Sequence, residues 1–99
     1  VERERDIEHK FVKQVKSYGG LAIKFKSPGH SGVPDRIVFC PDGRIRFVEI
    51  KAPGKKMTPL QRSWAAKIEK LTGSPVPVVD SEEKIRAWVS AYLGMRHVT

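Results

Sequence analysis

DRIVFCPDGRIRFVEIK, residues 35–51, is the stretch whose reading decides the fold. Two apolar, strand-like runs, Arg36–Cys40 and Arg44–Lys51, flank Pro41-Asp42-Gly43, a hairpin turn signal. Side chains alternate along a strand, so Phe47, Glu49 and Lys51 point one way and Val48, Ile50 and Ala52 the other. A three-residue loop pairs Cys40 with Arg44, Phe39 with Ile45 and Ile37 with Phe47, and sets Asp35 across from Glu49. One face then carries Ile37, Phe39, Ile45 and Phe47 near the turn, with Asp35, Glu49 and Lys51 at the open end. Opposed side chains lie about 4.5–5.5 Å apart at Cβ, where two like charges are destabilising without a cation. Lys51 is one candidate cation and a divalent metal another. A four-residue loop instead puts Arg36 opposite Glu49 as an ordinary salt bridge. The turn alone leaves both registers open.

Working outward, Ile7, Phe11, Val12, Val15 and Tyr18 recur at helical spacing over roughly residues 2–18, and Gly19-Gly20 ends that helix. Leu21, Ile23 and Phe25 alternate with Ala22, Lys24 and Lys26 as a strand, and the loop SPGHSGVP (residues 27–34) leads into the hairpin. Beyond it, Thr58, Pro59 and Gln61 form a capping box with proline at the first helical position. Leu60, Trp64, Ile68 and Leu71 are the apolar stripe of that helix, and Gly73 closes it. Pro75–Val79 reads as a short strand at an edge or a strand end, because of Pro77. Asp80 with Glu83 reads as a second capping box, opening a helix whose core side is Ile85, Trp88, Val89, Tyr92 and Leu93. The order is αβββαβα, an antiparallel meander followed by a crossover helix and a final strand. This predicts an α/β fold, a three-layer α/β/α sandwich with a mixed sheet, as one domain over residues 1–99.

The net charge of +8 and pI near 9.9 favour a polyanionic partner, above all nucleic acid. No apolar run reaches the ~20 residues of a membrane span, and no basic amphipathic helix stands apart from the core. Neither a membrane nor a small-molecule cofactor is expected. The charged start, VERERDIEHK, lacks the apolar centre of a signal peptide. Cys40 is the only cysteine, so a disulfide or cysteine-based zinc cage is not expected. An intracellular setting follows, cytoplasmic or associated with nucleoid or viral DNA.

The first helix supplies a third acid. Glu8 falls inside the stripe of Phe11, Val12 and Val15, where a carboxylate needs a partner. Its ordinary reading is an edge residue bonded to a lysine; Glu4 also lies near the stripe, closer to the chain end. Oxygen ligands from Asp35, Glu49 and Glu8, with a backbone carbonyl and waters, suit Mg²⁺ or Mn²⁺. Such an ion polarises a phosphate oxygen and lowers the pKa of water. Lys51, on the same strand face, is placed to orient that water or offset developing negative charge.

Pro34-Asp35, a hairpin and Glu49-Ile50-Lys51 resemble the PD-(D/E)XK nuclease pattern, which is short and degenerate. The wider runs LAIKFKSPGHSGVPDRIVF and RFVEIKAPGKKMTPLQ resemble the VRR-NUC family, the virus-type replication and repair nucleases. The similarity extends from about Ile7 to Leu93. It implies a restriction-endonuclease-like fold and metal-dependent phosphodiester hydrolysis of DNA. By motif, Asp35 and Glu49 resemble metal ligands, the carbonyl of Ile50 a further one and Lys51 the catalytic lysine. Glu8 resembles the acid of the leading helix. Gln61 matches a glutamine placed near the metal's water, beside its local reading as a cap. Members consisting of this domain alone resemble homodimeric, structure-specific endonucleases of branched DNA such as four-way (Holliday) junctions, a role in DNA repair.

Lys24, Lys26, His30, Arg36, Lys55, Lys56 and Arg62 flank the proposed site and are candidate phosphate contacts, each also readable as a solvated charge. Trp64, Trp88 and Tyr92 lie at core spacing, not as base-stacking platforms. A homodimer is expected because a four-way junction needs two symmetric cuts. Every apolar stripe is assigned to one core, so the sequence exposes no interface. The alternative is a basic nucleic-acid-binding module without catalysis, in which the acidic cluster is structural.

Overall fold

The hairpin closes on three residues. Gly43, at φ 88°, donates its N–H to the Cys40 carbonyl (3.0 Å), and Cys40 donates to the Arg44 carbonyl (2.9 Å). The Asp42 carboxylate accepts from the Arg44 N–H at 2.9 Å, holding the loop in the left-handed step that glycine permits. Phe39 therefore faces Ile45 and Ile37 faces Phe47, the register of the three-residue reading.

A computed structural model describes residues 2–94; the ends of the 1–99 span, residue 1 and residues 95–99, lie outside the described residues. The elements run α1 (Glu4–Ser17), β1 (Leu21–Lys24), β2 (Arg36–Phe39), β3 (Ile45–Ile50), α2 (Pro59–Thr72), β4 (Val78–Val79) and α3 (Glu82–Tyr92). The sheet order is β1-β2-β3-β4: the first three strands form the antiparallel meander, and β4 joins β3 in parallel after the α2 crossover. Pro77 sits just before β4, where only its carbonyl is needed, and accepts from the Glu49 N–H at 3.0 Å.

Ala22, Val38, Val48 and Ile50 share one sheet face and are buried with Ile7, Phe11 and Val15 of α1 and Ile85, Trp88 and Val89 of α3. Phe11 meets Trp88 edge-on at 5.3 Å between centroids, a geometry worth about 0.5–1.5 kcal/mol beyond area burial. Helix α2 lies on the other side, where Gln61 reaches Glu49. The three layers and the αβββαβα order follow the sequence expectation.

The layers are unequal, which corrects the assignment of every stripe to one core. Helix α2 buries no residue fully; Leu60 is 50% and Leu71 85% exposed. Near the turn its sheet face is bare, with Leu21 54%, Ile23 40%, Phe39 40% and Ile45 51% exposed. Helix α2 meets the open end of the sheet and leaves the turn half uncovered. A second correction concerns α3. Its cap is Ser81, whose Oγ accepts from the Lys84 N–H at 3.2 Å. Asp80 instead accepts from the Gly54 N–H (3.1 Å) and pairs with Lys84 (3.2 Å), tying the loop after β3 to the start of α3.

The loop carrying Asp35 is held down on α2. Pro34 is fully buried, and Gly32, at φ 86°, passes so near the helix that a Cβ would lie 2.7 Å from Leu60 Cγ and 3.2 Å from Trp64 Cδ1. Gly32→Ala adds both a steric conflict and a left-handed alanine. Chemical denaturation is expected to show a loss of about 1–3 kcal/mol. An unchanged midpoint and slope would mean that the loop does not rest on α2.

Candidate active site

Extending the β2–β3 register one step past the Arg36–Val48 pair brings Asp35 opposite Glu49. Asp35 is anchored at both ends: its carbonyl accepts from the Phe25 N–H (2.8 Å), and its Oδ1 from the Ile50 N–H (3.3 Å). Glu49 is only 4% exposed. Its Oε2 accepts from Gln61 Nε2 at 3.3 Å and lies 3.8 Å from Lys51 Nζ. Its Oε1 is buried and has no hydrogen-bond partner among the described residues. Burial, and after it the charge of Asp35, push the Glu49 carboxyl up to about 7, against the opposing pull of Lys51. Burial also raises Asp35, with Glu8 adding to the shift.

A bare, buried carboxylate oxygen beside a second carboxylate is a demand for either a proton or a cation. Leaving such an acceptor unmet costs about 1–3 kcal/mol. The available donors are hard oxygens: the Asp35 carboxylate, Glu49 Oε1, and the carbonyl of Ile50, which leaves its strand on the same side as the N–H that binds Asp35. That set fits Mg²⁺ or Mn²⁺, since Mg²⁺ sites commonly use one or two carboxylates and fill the remainder with water and phosphate. Among the described residues no three His, Cys, Asp or Glu side chains converge into a fuller cage.

The expected third acid lies apart from that pair. Glu8 Oε2 accepts from Arg36 Nη2 at 2.8 Å and sits 3.9 Å from Lys24 Nζ. Arg36 alternates onto the α1 side of the sheet, so its guanidinium turns to the helix and away from Asp35's face. The α1 acids are felt electrostatically all the same: Glu8 bears on Asp35, and the exposed Glu4 on Glu49. Gln61 holds two positions at once. Its Oε1 accepts from the Thr58 N–H (2.9 Å), its N–H donates to Thr58 Oγ1 (3.1 Å), and its amide nitrogen still reaches Glu49.

Asp35, Glu49, Ile50, Lys51 and Gln61 are thus brought together, whereas the basic candidates divide. Lys55, Lys56 and Arg62 line one cleft of about 420 Å³ beside Gly54 and Asp80. Lys24 and Arg36 line another of about 470 Å³ on the α1 side. Arg36 is 8% exposed and engaged with Glu8, leaving little of it for a phosphate. Lys26 stands exposed beyond β1, and the His30 ring packs 5.3 Å from Trp64. Of the aromatic residues read as core, Trp88 is buried; Tyr92 is half-buried under the Arg46 guanidinium (4.1 Å), and Trp64 is half-buried on the opposite side. Lys13 and Lys16 join Lys24 in the α1 cleft, and nothing in their spacing marks them out from an ordinary helix surface.

The family model for the VRR-NUC domain matches residues 4–83 of this chain. A protein named "Putative nuclease p44", from Acyrthosiphon pisum secondary endosymbiont phage 1, is 51% identical over 81 residues, covering 82% of this chain and 86% of that protein. A solved structure titled "VRR_NUC domain" superposes with a TM-score of 0.82 at 30% identity, covering 93% of this chain and 99% of that one.

The raised Glu49 carboxyl carries a stability signature. It titrates at 4.5 in an unfolded reference and at about 7 in the fold, so the folded state holds the proton more tightly. That stabilisation is complete below the unfolded value and is lost as pH rises through about 7, an effect on the order of 1–3 kcal/mol. In EDTA, the stability of Glu49→Gln relative to wild type is expected to rise by that amount between about pH 4 and about pH 8. Mg²⁺ or Mn²⁺ at the upper pH should narrow the gap by stabilising wild type alone. A pH-independent difference would show that Glu49 is not held in a desolvated, doubly acidic site.

Proposed function

Since this chain belongs to the VRR-NUC domain family and is a nuclease, we propose that it hydrolyses phosphodiester bonds of DNA with Mg²⁺ or Mn²⁺ held by Asp35, Glu49 and the Ile50 carbonyl. The observation that carries this reading is the buried, unpartnered Glu49 Oε1 directly across the hairpin from Asp35. A bound divalent ion supplies Lewis-acid polarisation of a phosphate oxygen and of the attacking water. The protein supplies the rest. Gln61 and Lys51 engage Glu49 Oε2 and leave Oε1 free. The Ile50 N–H fixes the Asp35 carboxylate. Lys51, with its side chain 15% exposed, faces the substrate side and offsets the charge that grows on the phosphate. Glu8 enters as the partner of Arg36, next to Asp35 in the chain.

A basic binding module without catalysis is disfavoured by the same oxygen. A pure binder gains nothing from two mutually repelling carboxylates beside phosphates, one of them carrying an unmet buried acceptor.

The substrate we infer is branched DNA, cut by a homodimer of this domain. The apolar, uncovered half of the sheet supports that assembly: Leu21, Ile23, Phe39 and Ile45 lie on adjacent strands, and the main exposed apolar patch of a domain is often an interaction surface. A two-fold pairing of that half covers it and leaves the Asp35–Glu49 end of the same face open, giving two sites for two opposed strands.

Cleavage of labelled duplex, flap, splayed and four-way DNA with Mg²⁺ or Mn²⁺ tests the whole reading, and no cleavage of any form by folded protein would end it. Asp35→Ala and Glu49→Ala should each abolish cleavage while binding in EDTA persists, because lysine and arginine contacts dominate affinity. Lys51→Ala should lower kcat by about 10²–10³-fold, and Lys51→Arg should not restore it, since a planar fork does not replace a point charge. Near-normal turnover in Glu49→Ala would refute the site.

Sedimentation at micromolar concentration should give twice the 11.2 kDa chain mass. Ile45→Asp should halve that mass and convert paired junction cuts into single nicks. A wild-type monomer that cuts both strands together would overturn the dimer.

A further inference from the structure

Helix α1 presents Lys13 and Lys16 to the same cleft as Lys24, a cleft that starts at Glu8 and Arg36 beside the open end of the sheet and runs along α1 towards the hairpin turn, where Gly19 lies beside Pro41. Four cationic side chains line this cleft of about 470 Å³, and its one carboxylate, Glu8, is already engaged by Arg36 at 2.8 Å and Lys24 at 3.9 Å. His9 is the remaining titratable group at its wall. The cleft therefore carries three more positive side chains than carboxylates, and Glu8 is engaged by Arg36 and Lys24. Lys13 and Lys16 stand one turn apart and are exposed, so their ammonium groups are free to follow a charged chain. The floor residue, Arg36, directly follows Asp35, and Glu8 bears electrostatically on Asp35, so the cleft begins where the acidic pair ends.

We propose that this cleft binds backbone phosphates of the DNA substrate on the α1 side of the cutting site, with Lys13 and Lys16 as the contacts. The substrate then spans the open end of the sheet, from the α1 cleft to the Lys55–Lys56–Arg62 cleft on the other side. Within α1, Glu8 to Lys16 covers about 12 Å of helix axis, the length of roughly three to four phosphates along one strand of a duplex. Arg36 is not one of the contacts, because Glu8 holds it. Its role is to neutralise Glu8, the carboxylate that lines the cleft. The inference rests on the nuclease reading above, since it needs DNA at the Asp35–Glu49 site.

The test is anisotropy of a labelled duplex and a four-way junction in EDTA across a salt series, with wild type, Lys13→Ala/Lys16→Ala, Lys13→Arg/Lys16→Arg and the control Lys67→Ala/Lys70→Ala on α2. Both exposed helix positions tolerate alanine, the best helix former, so folding is preserved. Two lost phosphate contacts should lower the salt slope of log K by about 2, making wild type lose about tenfold more affinity than the alanine pair between 50 and 200 mM salt. The arginine pair should keep the wild-type slope, and the α2 control should leave it unchanged. In metal-driven cleavage the alanine pair should raise KM with kcat at saturating DNA retained. An unchanged slope in the alanine pair, or an equal drop in the α2 control, would overturn the cleft while wild type still cuts DNA. Wild type that neither binds nor cuts any DNA would overturn the nuclease reading and the cleft with it.

Discussion

Everything at the reactive end depends on the hairpin register. A loop one residue longer would have placed Arg36 across from Glu49, leaving a routine salt bridge on a sheet rim. Gly43 in the left-handed region and the Asp42 carboxylate on the Arg44 N–H close the shorter loop. That local choice, about 17 Å from the acids along the strand, sets two carboxylates face to face. A register slip of one residue would also have put Val38 and Val48 on opposite faces and turned one of them out of the core, so burial of that face and the placement of the acids enforce the same pairing.

The rest of the site is built by elements that press upon that pair. The crossover helix α2 brings Gln61 to Glu49, and a single side chain both caps its own helix and fixes one carboxylate oxygen. The loop before Asp35 lies against α2 through Gly32, whose missing Cβ allows the approach to Leu60 and Trp64. Asp80 ties the segment after Lys51 to the start of α3 through the Gly54 N–H. Each contact ties down a segment next to Asp35, Glu49 or Lys51. Together they hold the two acids in a site dry enough to push Glu49 up to about 7.

The two faces of the sheet carry different loads. Helices α1 and α3 bury Val38, Val48 and Ile50 fully, each such side chain contributing about 1.5–3 kcal/mol, and that face supplies the stability. The opposite face is covered only at the end that α2 reaches, where the Asp35–Glu49 pair of the proposed site lies. Its other half is apolar yet uncovered. Charge is divided in the same manner: the acids sit centrally, with a basic cleft on either side.

The sequence by itself determined what short-range chemistry controls. Element order follows from apolar periodicity, the α2 cap from Thr58, Pro59 and Gln61, and the candidate acids and lysine from their place on strands. These depend on neighbours within a few residues, which a single chain displays. Even so, Ser81 displaced Asp80 as the α3 cap, because Asp80 was drawn to the distant Gly54 N–H, a partner invisible to local reading. The partner of Glu8 was decided in the same way: Arg36 lies 28 positions away and meets it only once α1 packs on β2. Only the tertiary structure could show that Leu21, Ile23, Phe39 and Ile45 stay uncovered, since alternation predicts which side a residue takes and not whether another layer reaches it. It likewise decided that Lys13 and Lys16 share a cleft with Lys24. Distances between remote segments are set by packing, and a sequence carries no direct record of them.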